Sequence, residues 1–115
     1  MSDLTDLRDR MRHFTDERGW AQFHDPKSLT LALVGEVGEL AELLQWLPAD
    51  SAARALTQEP LATRVSEEIS DVLLYLVRLA DVLGVDVSAA ANRKLDASES
   101  RFKPADYFER APEKN

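Results

Sequence analysis

Four carboxylates in two apolar segments are the residues of this chain whose type and spacing suggest chemistry. The first segment contains Glu36 and Glu39, and the second contains Glu68 and Asp71, so each segment carries two acids three residues apart. On a helix, residues three apart lie on the same face, one turn above the other. Each segment is therefore predicted to present a pair of carboxylates in a single direction.

The apolar residues around these acids predict that both helices are mostly buried, where neighbouring carboxylates repel each other unless a cation joins them. No histidine stands three or four residues from any of the acids and the chain has no cysteine, so only oxygen ligands are on offer. Such ligands favour Mg²⁺ or Mn²⁺ over zinc or copper. Metal-assisted hydrolysis of a phosphoanhydride is the chemistry that follows. The alternative is that two E-x-x-E/D patterns have arisen by chance on helices.

Gly35 and Gly38 stand immediately before Glu36 and Glu39. A glycine in a helix interior costs about 1 kcal/mol relative to alanine. Two of them in one buried helix predict that another backbone or a ligand comes close to it.

The elements that must position the acids are two long helices, predicted over residues 27–46 and 61–83. The short connector between them, residues 49–60, makes the two helices antiparallel neighbours and brings both pairs of acids to a comparable height. Further helices are predicted over residues 3–18 and 86–101. Because no strand pattern longer than a few residues occurs, the sequence predicts an all-α protein.

The loop over residues 19–28, before the first acidic helix, concentrates aromatic and cationic side chains, and we call it the aromatic loop. It contains Trp20, Phe23, His24 and Lys27, a combination that suits a nucleobase and a phosphate. The alternative is that Trp20 and Phe23 plug the end of the helix bundle while His24 caps a helix. Trp46, at the end of the same helix, is either core or a wall of the ligand pocket.

Composition narrows the classes of protein to which the chain can belong. With 115 residues it is predicted to be one domain, 1–115, with a core over about residues 4–104 and a tail over 105–115. A net charge of −7 argues against binding a nucleic acid polymer through its phosphates. The absence of cysteine excludes thiolate chemistry and fits a reducing cytoplasm. No signal peptide or membrane span is visible, and the small size favours a homo-oligomer.

The two acidic segments and the aromatic loop together resemble the MazG-like, all-α nucleoside triphosphate pyrophosphohydrolases. The signature of that family is E-x-x-E, a spacer and E-x-x-D, which both pairs of acids match. Within that family, the sequence over residues 18–24, 31–43 and 67–76 is most similar to that of the small dCTP pyrophosphatase (dCTPase) group. The resemblance extends over nearly the whole chain.

This resemblance implies a four-helix bundle protomer that assembles as a dimer or tetramer. It implies that Mg²⁺, with Mn²⁺ as a substitute, is bound by the catalytic positions Glu36, Glu39, Glu68 and Asp71. The positions that match substrate-binding residues are Trp20, His24, Trp46, Tyr75, Lys94 and Arg101. Ser98 stands where the related enzymes have an asparagine, which leaves the preferred base open.

The predicted function is therefore a cytoplasmic, Mg²⁺-dependent nucleotide pyrophosphohydrolase that removes dCTP or modified and non-standard dNTPs from the nucleotide pool. Its products are the nucleoside monophosphate and pyrophosphate. One alternative is a non-catalytic helical module that binds a nucleotide or docks a partner, with the acids as a remnant metal site. Another is an enzyme of histidine synthesis that acts on a phosphoribosyl nucleotide, against which the loop of Trp20, Phe23 and His24 argues.

Overall fold

The computed structural model describes residues 3–112, which contain six α-helices and no strand. The helices are α1 (Asp3–Glu17), α2 (Pro26–Leu44), α3 (Ala52–Leu56), α4 (Leu61–Val82), α5 (Val87–Arg101) and α6 (Pro104–Tyr107), with a 3-10 turn at Ala21–Phe23. The predicted all-α fold is confirmed. The four long helices begin and end within one or two residues of the positions that the sequence predicts.

Side-chain caps set the starts of α2 and α5. Asp25 precedes α2 and accepts a hydrogen bond from the Ser28 N–H at 2.9 Å, and Pro26 occupies the first turn, where its missing N–H costs nothing. Asp86 precedes α5 and accepts from the Ala89 N–H at 3.0 Å. Both starts are those that an aspartate cap predicts.

Gly19 ends α1 and turns the chain toward the aromatic loop. Its φ of +63° lies in the left-handed region, which glycine adopts at little cost. The next residue, Trp20, donates its backbone N–H to the carbonyl of the buried Thr15 at 3.1 Å. The indole is thereby tied to the last turns of α1.

The chain divides into two compact units, one ending at Val85 and the other beginning at Asp86. In the first unit α2 packs against α4, and α1 and α3 also pack on α4. In the second, α6 follows α5 directly, and the Tyr107 ring packs edge-on against Phe102 with 5.1 Å between ring centroids. Within residues 3–112, no helix has both the length and the apolar character that crossing a bilayer requires.

Two rows of apolar side chains on α2 and α4 are exposed rather than packed. They are Leu31, Val34 and Val37 on α2, and Ile69, Leu73 and Leu76 on α4. A Cβ atom placed on Gly35 or Gly38 would meet no other described atom within 4 Å. The close approach predicted at these glycines is therefore not made within the described part of one protomer.

Candidate active site

Three of the four predicted acids come together between α2 and α4. Glu36 and Glu39 lie one turn apart on α2, and Glu68 comes from α4. One carboxylate oxygen from each residue lies within 4.8 Å of the oxygens of the other two. We call these three residues the carboxylate cluster.

Asp71, the fourth predicted acid, does not belong to this close group of oxygens and instead lines a neighbouring cavity. Its negative charge still acts on the cluster, because it contributes to raising the pKa of both Glu36 and Glu68. Asp71 thus lines the cavity and is close enough to act electrostatically on the cluster. Its role as a metal ligand stays a prediction.

Burial and neighbouring acids disfavour the charged forms of Glu36 and Glu68. Burial is the main cause that raises the pKa of Glu36, followed by the charge of Glu39. Burial likewise raises the pKa of Glu68, followed by its hydrogen bond with Glu39. Both side chains are half-buried, and Glu39 is exposed to solvent.

The cluster also contains two polar atoms that lack partners. Oε2 of Glu36 and Oε2 of Glu68 are both buried, and neither has a hydrogen-bond partner within residues 3–112. A buried carboxylate oxygen without a partner is costly, and such atoms are rare in native proteins. A cation shared by the two oxygens would satisfy both and offset their repulsion. Because every donor is a carboxylate oxygen, the cluster fits a hard divalent cation.

A cavity of about 180 Å³ adjoins the cluster at Asp71. Its walls come from α1, the aromatic loop and α4, and the residues that line it are Met11, Phe14, Thr15, Trp20, His24, Asp71, Leu74 and Tyr75. Trp20, His24 and Tyr75 are three of the predicted substrate-binding residues. The structure thus brings aromatic surface, an imidazole and one of the four predicted acids to the walls of one cavity.

Trp20 packs on one edge and remains open on the rest of its surface. Its ring meets Phe14 edge-to-face with 5.7 Å between centroids, and 44% of its surface is exposed. Phe23 is 63% exposed. Since neither ring is buried, the alternative in which both plug the end of the bundle does not describe them. A half-open indole at a cavity is suited to stacking on a planar ligand.

The other predicted substrate-binding residues are not among those that line this cavity. Trp46 follows α2 in a turn and is 86% exposed, so it is not core. Lys94 and Arg101 are exposed on α5, in the second unit, where the Arg101 guanidinium lies 5.0 Å from the centroid of the Phe102 ring. Their substrate-binding roles stay predictions.

The sequence interpretation missed a polar network behind the cavity. The Arg78 side chain is buried; its Nε donates to Nδ1 of His24 at 3.0 Å, and its Nη1 donates to Asp81 at 3.1 Å. Asp81 also accepts from Nε of Arg12 at 3.0 Å, and this bond is the main cause that lowers the pKa of Asp81. An arginine within the apolar run of α4, with an acid three residues on, was the available signal. The partner on α1 could not be read from spacing.

Comparison with known proteins gives the family. The sequence profile of the MazG-like family matches residues 32–110, a range that includes the carboxylate cluster and the whole α4 wall of the cavity. This chain belongs to the MazG-like family.

Several individual proteins of known identity are also similar to this chain. The chain is 44% identical to dCTP pyrophosphatase 1 of Bos taurus and of Homo sapiens, and 46% identical to that of Rattus norvegicus, each over 99 residues. These alignments cover 86% of this chain but only 58–59% of the relatives. The chain therefore spans less than two thirds of their length. A crystal structure of a pyrophosphatase from Archaeoglobus fulgidus is also similar, with a TM-score of 0.81 and 36% identity over 90% of this chain and 94% of that one.

Proposed function

We propose that this protein is a divalent-metal-dependent nucleotide pyrophosphohydrolase. It cleaves a (deoxy)nucleoside triphosphate, dCTP or a modified or non-standard dNTP, to the monophosphate and pyrophosphate. Membership of the MazG-like family and the likeness to proteins named dCTP pyrophosphatase support this proposal. The cysteine-free composition supports a cytoplasmic setting.

The observation that carries the proposal is the pair of buried, unpartnered oxygens on Glu36 and Glu68. A structural ion pair would supply a basic partner for each carboxylate, and here the third member of the cluster, Glu39, is another acid. The cation that such a set of donors requires must come from outside the chain. Mg²⁺ is the proposed ion, with Mn²⁺ as a substitute, because both prefer oxygen ligands and bind the phosphates of nucleotides.

The chain's own residues divide the work of the reaction. Glu36, Glu39 and Glu68 would hold the cation, and Asp71 is the proposed fourth ligand. When bound, Mg²⁺ offsets phosphate charge and polarises a phosphorus–oxygen bond. A glutamate of the cluster takes a proton from a water molecule while the oxygen of that water attacks the α-phosphorus. The bond from the α-phosphorus to the bridging oxygen breaks, and pyrophosphate leaves.

The base would occupy the cavity beside the cluster. Trp20 and Tyr75 would offer aromatic faces to the base, and His24 would form a hydrogen bond with its edge. Trp46, Lys94 and Arg101 keep the roles that the family resemblance implies for them, around the base and the phosphates. Base and triphosphate would thus lie on either side of Asp71.

The proposed enzyme is a homo-oligomer. The apolar rows on α2 and α4 expose side chains such as Leu31 and Val34, each 62% exposed, that a second copy would cover. Only three apolar residues within 3–112 are buried in the protomer, namely Leu29, Val77 and Ala80. A chain of this size with so small a core gains its remaining stability by association. The open space at Gly35 and Gly38 leaves room for the partner's backbone.

Product analysis tests the proposed function. The purified protein is incubated in Mg²⁺ with each common dNTP, 5-methyl-dCTP and dUTP, and the products are separated by ion-exchange chromatography. The expected products are monophosphate and pyrophosphate, in amounts that depend on the metal. Glu39→Gln is expected to lower kcat by at least about 100-fold, because it removes a carboxylate from the charge-stabilising site.

Glu42→Gln is the matched control, since Glu42 lies on the same helix and is exposed outside the cluster. It is expected to keep the wild-type rate. Diphosphate and phosphate as products would contradict the proposed reaction. Tight nucleotide binding in Mg²⁺ or Mn²⁺ without turnover would favour the non-catalytic module instead.

A further inference from the structure

The contact between Arg78 and His24 determines which ring nitrogen of the histidine carries a proton. Nε of Arg78 lies 3.0 Å from Nδ1 of His24. A guanidinium has only donors and stays protonated in proteins, so Nδ1 must be the acceptor. The neutral ring then carries its single proton on Nε2 and is a donor at that atom.

Arg78 is fixed in place from two sides. Its side chain is 8% exposed, and the planar guanidinium addresses His24 with one N–H and Asp81 with another, 3.1 Å away. Asp81, also 8% exposed, is held in turn by Arg12 of α1. Rotating the guanidinium away from His24 would leave buried polar groups without partners, which is costly.

His24 lies in the wall of the cavity together with Trp20 and Tyr75. We propose that Arg78 is a positioning residue that fixes His24 as the Nε2–H tautomer, so that the imidazole offers a hydrogen-bond donor to a carbonyl of the bound base. This inference rests on the proposed function, because it takes the cavity to be the base site. Cytosine, thymine, uracil and guanine carry such a carbonyl, and adenine does not.

The surrounding charges keep this donor constant. Burial lowers the pKa of His24, and the positive charge of Arg78 lowers it further. Asp71 and Tyr75 are the other titratable groups that line the same cavity. A ring that stays neutral presents one donor and uses its one acceptor internally. The cavity therefore discriminates by the acceptor on the base rather than by net charge.

Nitrogen NMR of the wild-type protein tests the tautomer without any substitution in the site. The chain has two histidines, so labelling with ¹⁵N-histidine gives two pairs of ring signals, and a His13→Gln variant assigns them. At pH 7.5 and without nucleotide, Nε2 of His24 is expected to show the shift of a protonated nitrogen and Nδ1 that of an unprotonated one. A proton on Nδ1 overturns the inference.

Substitution of Arg78 tests what holds that tautomer. In Arg78→Met, both ring nitrogens of His24 are expected to move toward the average of the two tautomers. Arg64→Met, which removes an exposed arginine from the same helix, is the control and is expected to leave them in place. Unchanged His24 signals in a folded Arg78→Met protein overturn the inference. If circular dichroism shows Arg78→Met to be unfolded, the wild-type tautomer decides alone.

Steady-state kinetics tests the consequence for the base. Arg78→Met is expected to raise KM for dCTP roughly tenfold, the size of one lost hydrogen bond, with a smaller change for dATP. Placed in a His24→Ala background, the same substitution is expected to raise KM for dCTP no further. A second, additive rise would show a merely structural role and overturn the inference.

The two proposals fail in different ways. A proton on Nδ1 of His24, with dCTP still hydrolysed, overturns the inference and leaves the proposed function intact. The expected tautomer without turnover of any nucleotide overturns the proposed function, and the base contact inferred for His24 falls with it.

Discussion

Glu36 and Glu68, the proposed metal ligands, occupy positions that oppose the stability of the fold. Each is half-buried, each has an oxygen without a partner among the described residues, and each lies against other acids. Burial and like charge raise the pKa of both carboxyls. The ordinary outcome of such an arrangement is a lower free energy of unfolding until a cation binds.

The sign of this effect predicts how stability depends on pH when no metal is present. A carboxyl whose pKa is raised by folding stabilises the protein below its ordinary pKa, where it is protonated. That contribution is lost as pH rises through the raised value. In EDTA, Glu36→Gln is therefore expected to remove part of this loss, so the variant melts above wild type at pH 7 and the difference shrinks toward pH 4. Thermal melts followed by circular dichroism measure it.

The comparison with a variant matters because other groups shift the opposite way. Folding lowers the pKa of Asp25 and Asp81, so the raw wild-type curve mixes both signs. Glu42→Gln, on the same helix, controls for the loss of one negative charge. If Glu36→Gln melts no higher than Glu42→Gln at pH 7, the carboxylate cluster is not the source of the strain. Added Mg²⁺ is expected to raise the melting temperature of wild type and of Glu42→Gln but not of Glu36→Gln.

At the scale of the element, Asp25 connects the aromatic loop to the helix that carries Glu36 and Glu39. Its carboxylate accepts from both the N–H of Ser28 at 2.9 Å and the hydroxyl of Ser28 at 2.7 Å. One residue upstream is His24, which lines the cavity. The cap therefore fixes the start of α2 and the position of the cavity wall together.

Removing this cap is expected to lower stability in a pH-dependent way. Asp25→Ala should lower the melting temperature at pH 7 by about 4 °C, the effect of a typical N-cap. The hydrogen bonds from Ser28 lower the pKa of Asp25, so its contribution is present above the ordinary aspartate pKa and lost as pH falls through the lowered value. Asp50→Ala, an exposed aspartate before α3, is the control. Equal melting temperatures for the two variants at pH 7 would contradict the assignment.

The helices were predictable because their signals are local. Periodic apolar residues, an aspartate cap and a glycine stop each act within a few positions, and they place α2 and α4 to within two residues. The three-residue spacing of Glu36 and Glu39 likewise places both on one face of α2. The position of Asp71 was less accessible, because it depends on how α4 is rotated against α2 rather than on spacing along α4.

The contacts of Arg78 were not predictable for a related reason. Arg12 and Asp81 are 69 positions apart, and nothing in either local sequence indicates the other. A tryptophan just after a helix suits both the core and a pocket wall, so the sequence alone does not place Trp46, and its 86% exposure excludes the core. The contacts of side chains whose partners lie on another element can be identified only from the packed structure.

At the scale of the whole molecule, the apolar rows on α2 and α4 remain exposed to solvent in the protomer. Val37 on α2 and Ile69 on α4 are 47% and 52% exposed. Each directly follows a member of the carboxylate cluster in the sequence. Apolar surface of this extent is unusual on a lone protomer. If a second copy covers it, association and the metal site depend on the same two helices.

A charge placed in these rows is expected to dissociate the oligomer. Leu31→Asp puts a carboxylate on the exposed face of α2, and size-exclusion chromatography with light scattering should show its mass falling to that of one chain. Leu95→Asp, which charges an equally exposed leucine of α5, is the control and should keep the wild-type mass; Leu95 is 59% exposed and Leu31 62%. A wild-type protein that has the mass of one chain at every concentration would contradict the proposed homo-oligomer.

The position of a bound Mn²⁺ ion tests most directly the claim that the cluster is a metal site. Crystals grown with Mn²⁺ would be measured near the manganese absorption edge, which locates the ion by its anomalous scattering. We expect a peak bonded to oxygens of Glu36 and Glu68, and its loss in Glu36→Gln crystals grown in the same way. A folded wild-type protein whose only manganese peaks lie away from these two residues would contradict it.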